Sequence, residues 1–171
     1  MLSLLRSATT RSWYWWLLLL AGISFESVAL YYQYVLEYGP CPLCIHTRIG
    51  IMGFMLVATS ALLINSPIWW RVSHLFNTII MGWLSERAYL LLGTERGFTF
   101  HDCGVDPGLP AWFALDQWFP IVFEVKESCG YTPIVAFGIS MAEALMIVFP
   151  LMLLASLVLF VFSFFSAPKE R

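Results

Sequence analysis

Residues 39–64 read GPCPLCIHTRIGIMGFMLVATSALLI. Cys41 and Cys44 stand three apart at the lip of an apolar run, and Arg48 follows Cys44 by one helical turn. From Cys44 to Ile64 the charged or titratable side chains, His46 and Arg48, are confined to the first turns. A membrane-crossing helix needs about 20 mostly apolar residues, so this run is long enough to span, and its chemistry sits at one end.

The rest of the chain has the same character. Of 171 residues, 60% are apolar, 17% aromatic and only 12% charged, and the mean hydropathy is +0.77. A soluble domain carries roughly a quarter charged residues, so this composition belongs in lipid. The net charge of -2 says little, and no basic run points to nucleic acid as a partner. Besides 44–64, three runs are long enough to cross: 13–36, broken only by Glu26; 72–92, with Glu86 and Arg87 toward its end; and 134–165. The last exceeds one crossing, so part of it is expected to tilt or lie outside the hydrocarbon, with the helix over about 137–163. A cleaved leader is the competing reading of the first run, but its apolar stretch is too long and three more follow. The expectation is an all-α membrane protein, a bundle of four transmembrane helices forming one domain over 1–171.

Lys and Arg set the expected orientation. Arg6, Arg11, Arg71, Lys169 and Arg171 fall on one side, whereas the 37–43 and 93–133 loops are mostly acidic. Both termini and the 65–71 turn should therefore be cytoplasmic, with the two loops facing outward. Tryptophans 13, 15, 16, 69 and 70 mark the cytoplasmic interface as an aromatic belt. The long outward loop is too short to bury a core without staples. Within it Leu115, Trp118, Phe119 and Val122 recur at helical spacing, which predicts a short amphipathic helix lying in the interface, weakened at Pro120. A strip packed on the loop's own residues is the alternative.

All four cysteines fall on the outward side, which points to disulfides in an oxidising compartment. The spacing makes two unlike pairs. A Cys103–Cys129 bridge closes a large ring and would stabilise a coreless loop by roughly 3–4 kcal/mol. A Cys41–Cys44 bridge removes little chain entropy; its Cys-x-x-Cys spacing instead suits a dithiol that cycles. Zinc held by all four remains the alternative, although the second pair lacks the short ligand spacing of structural zinc sites. Cys44 opens a helix, where unpaired N–H groups and the macrodipole favour a thiolate. Arg48 lies on the same face one turn deeper. It can snorkel to headgroups, or it can favour the thiolate and donate to the oxygen of a carbonyl acceptor dissolved in the bilayer. A lipid-soluble quinone is such an acceptor.

The pattern Cys41-Pro-Leu-Cys-Ile-His-Thr-Arg48 resembles the first periplasmic loop of the disulfide bond formation protein B (DsbB) family. The order of elements is similar too: four spans, a dithiol before the second, and a second cysteine pair in the loop before the fourth. Residues 114–123 resemble the family's interfacial helix, and Glu26 matches an acidic position of the first span. The resemblance implies a bacterial inner-membrane thiol oxidase that regenerates a soluble periplasmic DsbA-like oxidase of thioredoxin fold. It implies that Cys103 takes the mixed disulfide with that partner and that Cys129 is its loop mate. Cys41 then exchanges with the loop pair, while Cys44 faces ubiquinone or menaquinone from the membrane pool, with Arg48 polarising the quinone oxygen. Met141 and Ala144 fall where the fourth helix can approach the ring.

One departure is visible. The family often carries a histidine near the outer end of its third helix; here residues 92–97 read LGTERG, and Glu95 or Arg96 are the candidates to replace it. Glu26 is expected as an interhelical hydrogen-bonded contact with a proton-handling role as alternative, His74 and Asn77 as polar contacts of the bundle, and His46 as an interfacial anchor or proton relay. Two rival functions are a dithiol–quinone enzyme of the vitamin K epoxide reductase type, in which the loop pair should precede the Cys-x-x-Cys, and a disulfide-stapled membrane subunit without catalysis.

Overall fold

The computed structural model describes residues 9, 11–99, 104, 106–136 and 138–165. Four long helices dominate them: α1 (Trp13–Tyr34), α2 (Pro42–Ile64), α3 (Pro67–Arg96) and, near the end of the chain, α6 (Met141–Phe165). Between α3 and α6 lie a 3-10 turn (Ala111–Phe113), two single-turn helices, α4 (Leu115–Trp118) and α5 (Pro120–Phe123), and a two-stranded hairpin of β1 (Ile134–Ala136) and β2 (Ile139–Ser140).

Local chemistry sets the helix ends. Proline stands at the start of both α2 and α3, where its fixed φ suits a first turn and its missing N–H is not needed. Left-handed residues close them: Asn65 (φ 44°) after α2 and Gly97 (φ 74°) after α3. At α6 the cap is reciprocal. Ser140 Oγ accepts from the Glu143 N–H at 3.3 Å and a Glu143 carboxylate oxygen accepts from the Ser140 N–H at 2.9 Å. The apolar run expected to be helical from about 137 therefore folds differently at its head: Ile134–Ala136 pairs with Ile139–Ser140, Gly138 has a positive φ (80°), and the helix waits for the Ser140 cap.

By length and composition α1, α2 and α6 are each able to cross a membrane. At 30 residues α3 is the longest helix but more polar, since it carries Arg71, Glu86, Arg87, Glu95 and Arg96. The packing runs α1 on α2, α2 on α3 and α3 on α6. In lipid such contacts rest on close van der Waals approach. A Cβ at Gly50 of α2 would stand 2.5 Å from Leu84 Cδ2 of α3, so a larger residue there would force the Leu84 side chain to move. Phe54, Met81, Leu84 and Phe149 form the centre of the core. Trp15, expected in the interfacial belt, belongs there instead: it is fully buried with its ring 4.6 Å from that of His74. Trp69 and Trp70 close the α2–α3 turn through indole N–H bonds to Ser60 Oγ and the Ala61 carbonyl.

The expected amphipathic helix is broken in two. Phe119 (φ -134°) separates α4 from α5 because Pro120 opens a new first turn. The side chains this segment buries are Ala114 and Phe123, while Trp118 and Phe119 of the expected apolar stripe are exposed, 55% and 60%.

A cavity joining the dithiol to the bundle

Cys41 is the N-cap of α2. Its backbone is extended (φ -86°, ψ 167°) and its Sγ accepts the Cys44 N–H at 3.3 Å, taking the place of the usual capping oxygen. The helical turn begun by Pro42 thereby holds the two sulfurs on one end of α2. Both are free thiols, Cys41 buried and Cys44 partly so. The thiol–thiol contact with the Cys44 side chain, and then burial, push the Cys41 thiol well above the ordinary thiol range, against the opposite pull of the Cys44 N–H.

Because α1 and α6 each pack chiefly on another helix, a gap of about 300 Å³ remains between them at the cysteine end. Ala29 and Tyr32 of α1, Cys44 and Arg48 of α2, and Met141 and Ala144 of α6 line it, with Cys41, Tyr38 and Thr132 toward the loops. The expected site residues Cys44, Arg48 and Met141 thus share one wall-to-wall space. Its surface is mostly apolar, with two thiols, the Arg48 cation, the Glu127 carboxylate toward the loops and a few hydroxyls as its polar groups. Such a space suits a flat apolar molecule carrying an oxygen acceptor.

Arg48 is 5% exposed, and among the described residues no carboxylate lies within ion-pair distance of it. Its partners are neutral oxygens: Nη1 donates to Gln33 Oε1 and to the Val122 carbonyl, both at 2.6 Å, and Nη2 donates to the Ala29 carbonyl at 3.3 Å. The snorkelling alternative fails on this geometry, because the guanidinium is buried among α1, α2 and α5. Glu26, expected to be hydrogen-bonded, has a buried Oε1 with no partner among the described residues.

The loops are drawn onto the same end. The Pro40 carbonyl accepts from the Lys126 and Glu127 N–H groups at 3.0 and 3.4 Å. Three residues on, Cys129 packs with Cys44 against the cluster of Cys41, Leu43, Leu91 and Ala142. Cys129 is disulfide-bonded; Cys103 and His101 lie outside the described residues, as do Arg6, Lys169 and Arg171. His46 Nε2 bonds the Pro107 carbonyl at 2.8 Å, a further tie between α2 and the long loop. The candidates to replace the missing histidine are employed elsewhere. Glu95 accepts from Thr132 Oγ1 at 2.6 Å, and Arg96 pairs with Glu143. Arg96 fastens α3 to the start of α6 directly and Glu95 does so through Thr132, whose Oγ1 accepts from the Ala142 N–H at 3.3 Å; neither lines the cavity. Among the described residues no His, Cys, Asp or Glu cluster would hold a metal ion.

Sequence reasoning passed over Gln33 and the carbonyls of Ala29 and Val122. Gln33 carried a weak signal, as a long amide inside an otherwise apolar and aromatic run. The carbonyls carried none, since every residue has one.

A helical bundle with membrane-crossing segments and a buried dithiol at one end defines a multi-pass membrane thiol–disulfide protein. Comparison with known proteins specifies it. The family described as "Disulfide bond formation protein DsbB" matches residues 11–159. A protein named Disulfide bond formation protein B from Haemophilus influenzae is 29% identical over 174 residues, covering 100% of this chain and 98% of the relative. Proteins of the same name from Shewanella loihica and Vibrio parahaemolyticus are each 31% identical, covering 86% and 92% of this chain and 87% and 89% of theirs. The chain belongs to the DsbB family of membrane disulfide-forming oxidoreductases.

Proposed function

We propose that this protein is a four-span thiol:quinone oxidoreductase of the bacterial inner membrane, with termini cytoplasmic and cysteines periplasmic. It reoxidises a DsbA-like periplasmic protein of thioredoxin fold and passes the electrons through two cysteine pairs to ubiquinone or menaquinone. The observation that carries this reading is the shared cavity: Cys44 and Arg48 face one apolar space in a membrane bundle, and Cys41 sits between that space and the loop holding Cys129. A polar α3 fits as the fourth span because it is packed between α2 and α6, with its polar side chains able to meet protein instead of lipid.

Thiol–disulfide exchange accounts for each protein step. The partner's thiolate attacks the sulfur of Cys103 in a Cys103–Cys129 disulfide, forming a mixed disulfide and releasing Cys129 as the thiolate. The partner's second thiol resolves it, leaving the partner oxidised and the loop pair reduced. A loop thiolate then attacks Cys41 Sγ of a Cys41–Cys44 disulfide and releases Cys44 as the thiolate. Closure of the loop disulfide leaves Cys41 a thiol, and burial and the Cys44 contact keep its proton in place until Cys44 has lost its electrons. A quinone bound in the cavity supplies the two-electron, two-proton acceptor that lets Cys41–Cys44 re-form. Cys44 and Met141 would touch its ring, and Arg48 would donate to its oxygen.

The test is partner-dependent quinone reduction by the protein in detergent, with a reduced thioredoxin-fold periplasmic oxidase as electron donor. Consumption of decylubiquinone or a short-chain menaquinone, one electron pair per partner oxidised, is the expected result. Partner oxidation that consumes neither quinone would overturn the reading.

A further inference from the structure

We propose that Gln33 is a positioning residue that aims the Arg48 guanidinium into the cavity and ties the α5 turn to it; this rests on Arg48 facing the acceptor, as above. Gln33 is 6% exposed near the C-terminal end of α1. Its amide spans two elements: Oε1 accepts from Arg48 Nη1 at 2.6 Å, and Nε2 donates to the Ile121 carbonyl at 3.2 Å. Chemistry fixes which way round the amide sits, since a guanidinium only donates and a carbonyl only accepts. The Tyr34 hydroxyl donates to the same Ile121 carbonyl, and Arg48 Nη1 takes the neighbouring Val122 carbonyl at 2.6 Å.

The carbonyls of a one-turn helix have few partners of their own and lie at the negative end of its dipole. α5 therefore presents the oxygens of Ile121 and Val122 to α1 and α2, and Gln33 with Arg48 captures them in adjacent bonds. The consequence for Arg48 is directional. Both hydrogens of Nη1 are spent on Gln33 and Val122, and one of Nη2 on Ala29, which fixes the plane of the guanidinium. Among the described residues the Nε–H and the second Nη2 hydrogen have no protein acceptor, which leaves them for an oxygen bound in the cavity. Gln33 acts through Arg48 and does not line the cavity itself.

The experiment uses the whole protein in detergent, freed of quinone, with two readouts: binding of decylubiquinone by quenching of tryptophan fluorescence, and amide hydrogen exchange over 119–124. Gln33→Leu removes both bonds. It is expected to weaken binding roughly tenfold, the scale of one lost hydrogen bond to a charged group, and to speed exchange in the α5 turn. Gln33→Glu keeps the acceptor for Arg48 but loses the donor to Ile121. It should speed exchange as much as Gln33→Leu while binding stays within about twofold of the native value. Gln33→Asn, polar but too short to make either bond, should weaken binding as the leucine does and replaces it if that variant does not fold. Unchanged binding in Gln33→Leu or Gln33→Asn overturns the proposal, as does equal weakening by Gln33→Glu. Arg48→His is the reference: if it leaves binding unchanged, the quinone reading itself has failed, whereas weakened binding there with native binding in the Gln33 variants removes Gln33 alone.

Discussion

Two clusters of buried polar groups lie in this bundle, one toward each end, and they are built differently. At the cysteine end Arg48 and Cys44 border open space with Gln33 behind Arg48, and the partners of Arg48 and Gln33 are largely backbone carbonyls of other segments. At the other end His74, Asn77 and Ser156 are each 0–1% exposed; Asn77 and Ser156 bond side chains across helices, whereas His74 packs its ring on Tyr14 and Trp15 and its nitrogens have no hydrogen-bond partner among the described residues. Asn77 Nδ2 donates to Ser156 Oγ at 3.1 Å and to the Tyr14 hydroxyl at 3.3 Å, and the Ser156 and Thr78 hydroxyls are hydrogen-bonded at 2.8 Å. Polar groups that face one another hold α1, α3 and α6 together. Polar groups that face a gap, held from behind by carbonyls, are arranged for something that enters. Burial and polarity alone do not separate these cases; the direction of the donors does.

The largest effect that tests this contrast comes from the sulfurs. Cys44→Ser or Cys41→Ser should abolish turnover of the thiol partner while leaving the bundle folded, measured as partner oxidation beside a thermal melt. Partner oxidation in either variant beyond the single equivalent that a loop disulfide can supply would break the assignment of electron flow to this end. Cys129→Ser should trap a mixed disulfide with the partner at Cys103, identified by mass spectrometry of the non-reduced complex; trapping at Cys41 would reverse the roles of the pairs. Arg48→His comes next. Its quinone KM should rise at least roughly tenfold, the scale of a lost charged hydrogen bond, with disulfide exchange between the loop pair and the partner retained. Asn77→Leu should do the opposite, costing about 1–2 kcal/mol of stability and leaving the quinone KM at its native value. A shifted KM there would mean that the two ends are coupled. The smallest effect concerns Cys41. Its thiol is pushed up by the Cys44 side chain and by burial, so the thiolate fraction stays low until the pH is well above the ordinary thiol range. Alkylation of Cys41 in the reduced protein should be slow at pH 8 and speed up only at strongly alkaline pH; rapid labelling at neutral pH would contradict the buried, bonded thiol.

The site was legible as far as it was local. Cys41, Cys44 and Arg48 belong to one helical end, so spacing alone put them on one face, with the end marked by Pro42. Met141 and Ala144 entered through resemblance, and the fold brings both to the cavity. Contacts made across the chain by atoms that every residue owns were not legible. The carbonyls of Ala29, Ile121 and Val122 carry no mark in the sequence, and the importance of Gln33 depends on them. Hydropathy also misled at the ends of elements. The 134–140 stretch is apolar enough for a helix, but the reciprocal Ser140–Glu143 cap starts α6 after it, a signal present in the sequence as Ser-Met-Ala-Glu. Likewise α3 runs from Pro67 to Arg96, beyond the apolar 72–92, because proline opens it and Gly97 closes it. Trp15 was lost to the belt reading because helical phase, not residue type, turns it toward His74.

The central claim is that electrons leave the dithiol through the gap between α1 and α6. Photo-crosslinking with an azido-substituted short-chain quinone, followed by mass spectrometry of the labelled peptides, tests it most directly. The account predicts adducts on the cavity-lining stretches of α1, α2 and α6 around Ala29, Arg48 and Met141, suppressed by excess unlabelled quinone. Competable adducts confined to the His74–Asn77 end, with none on those stretches, would contradict it.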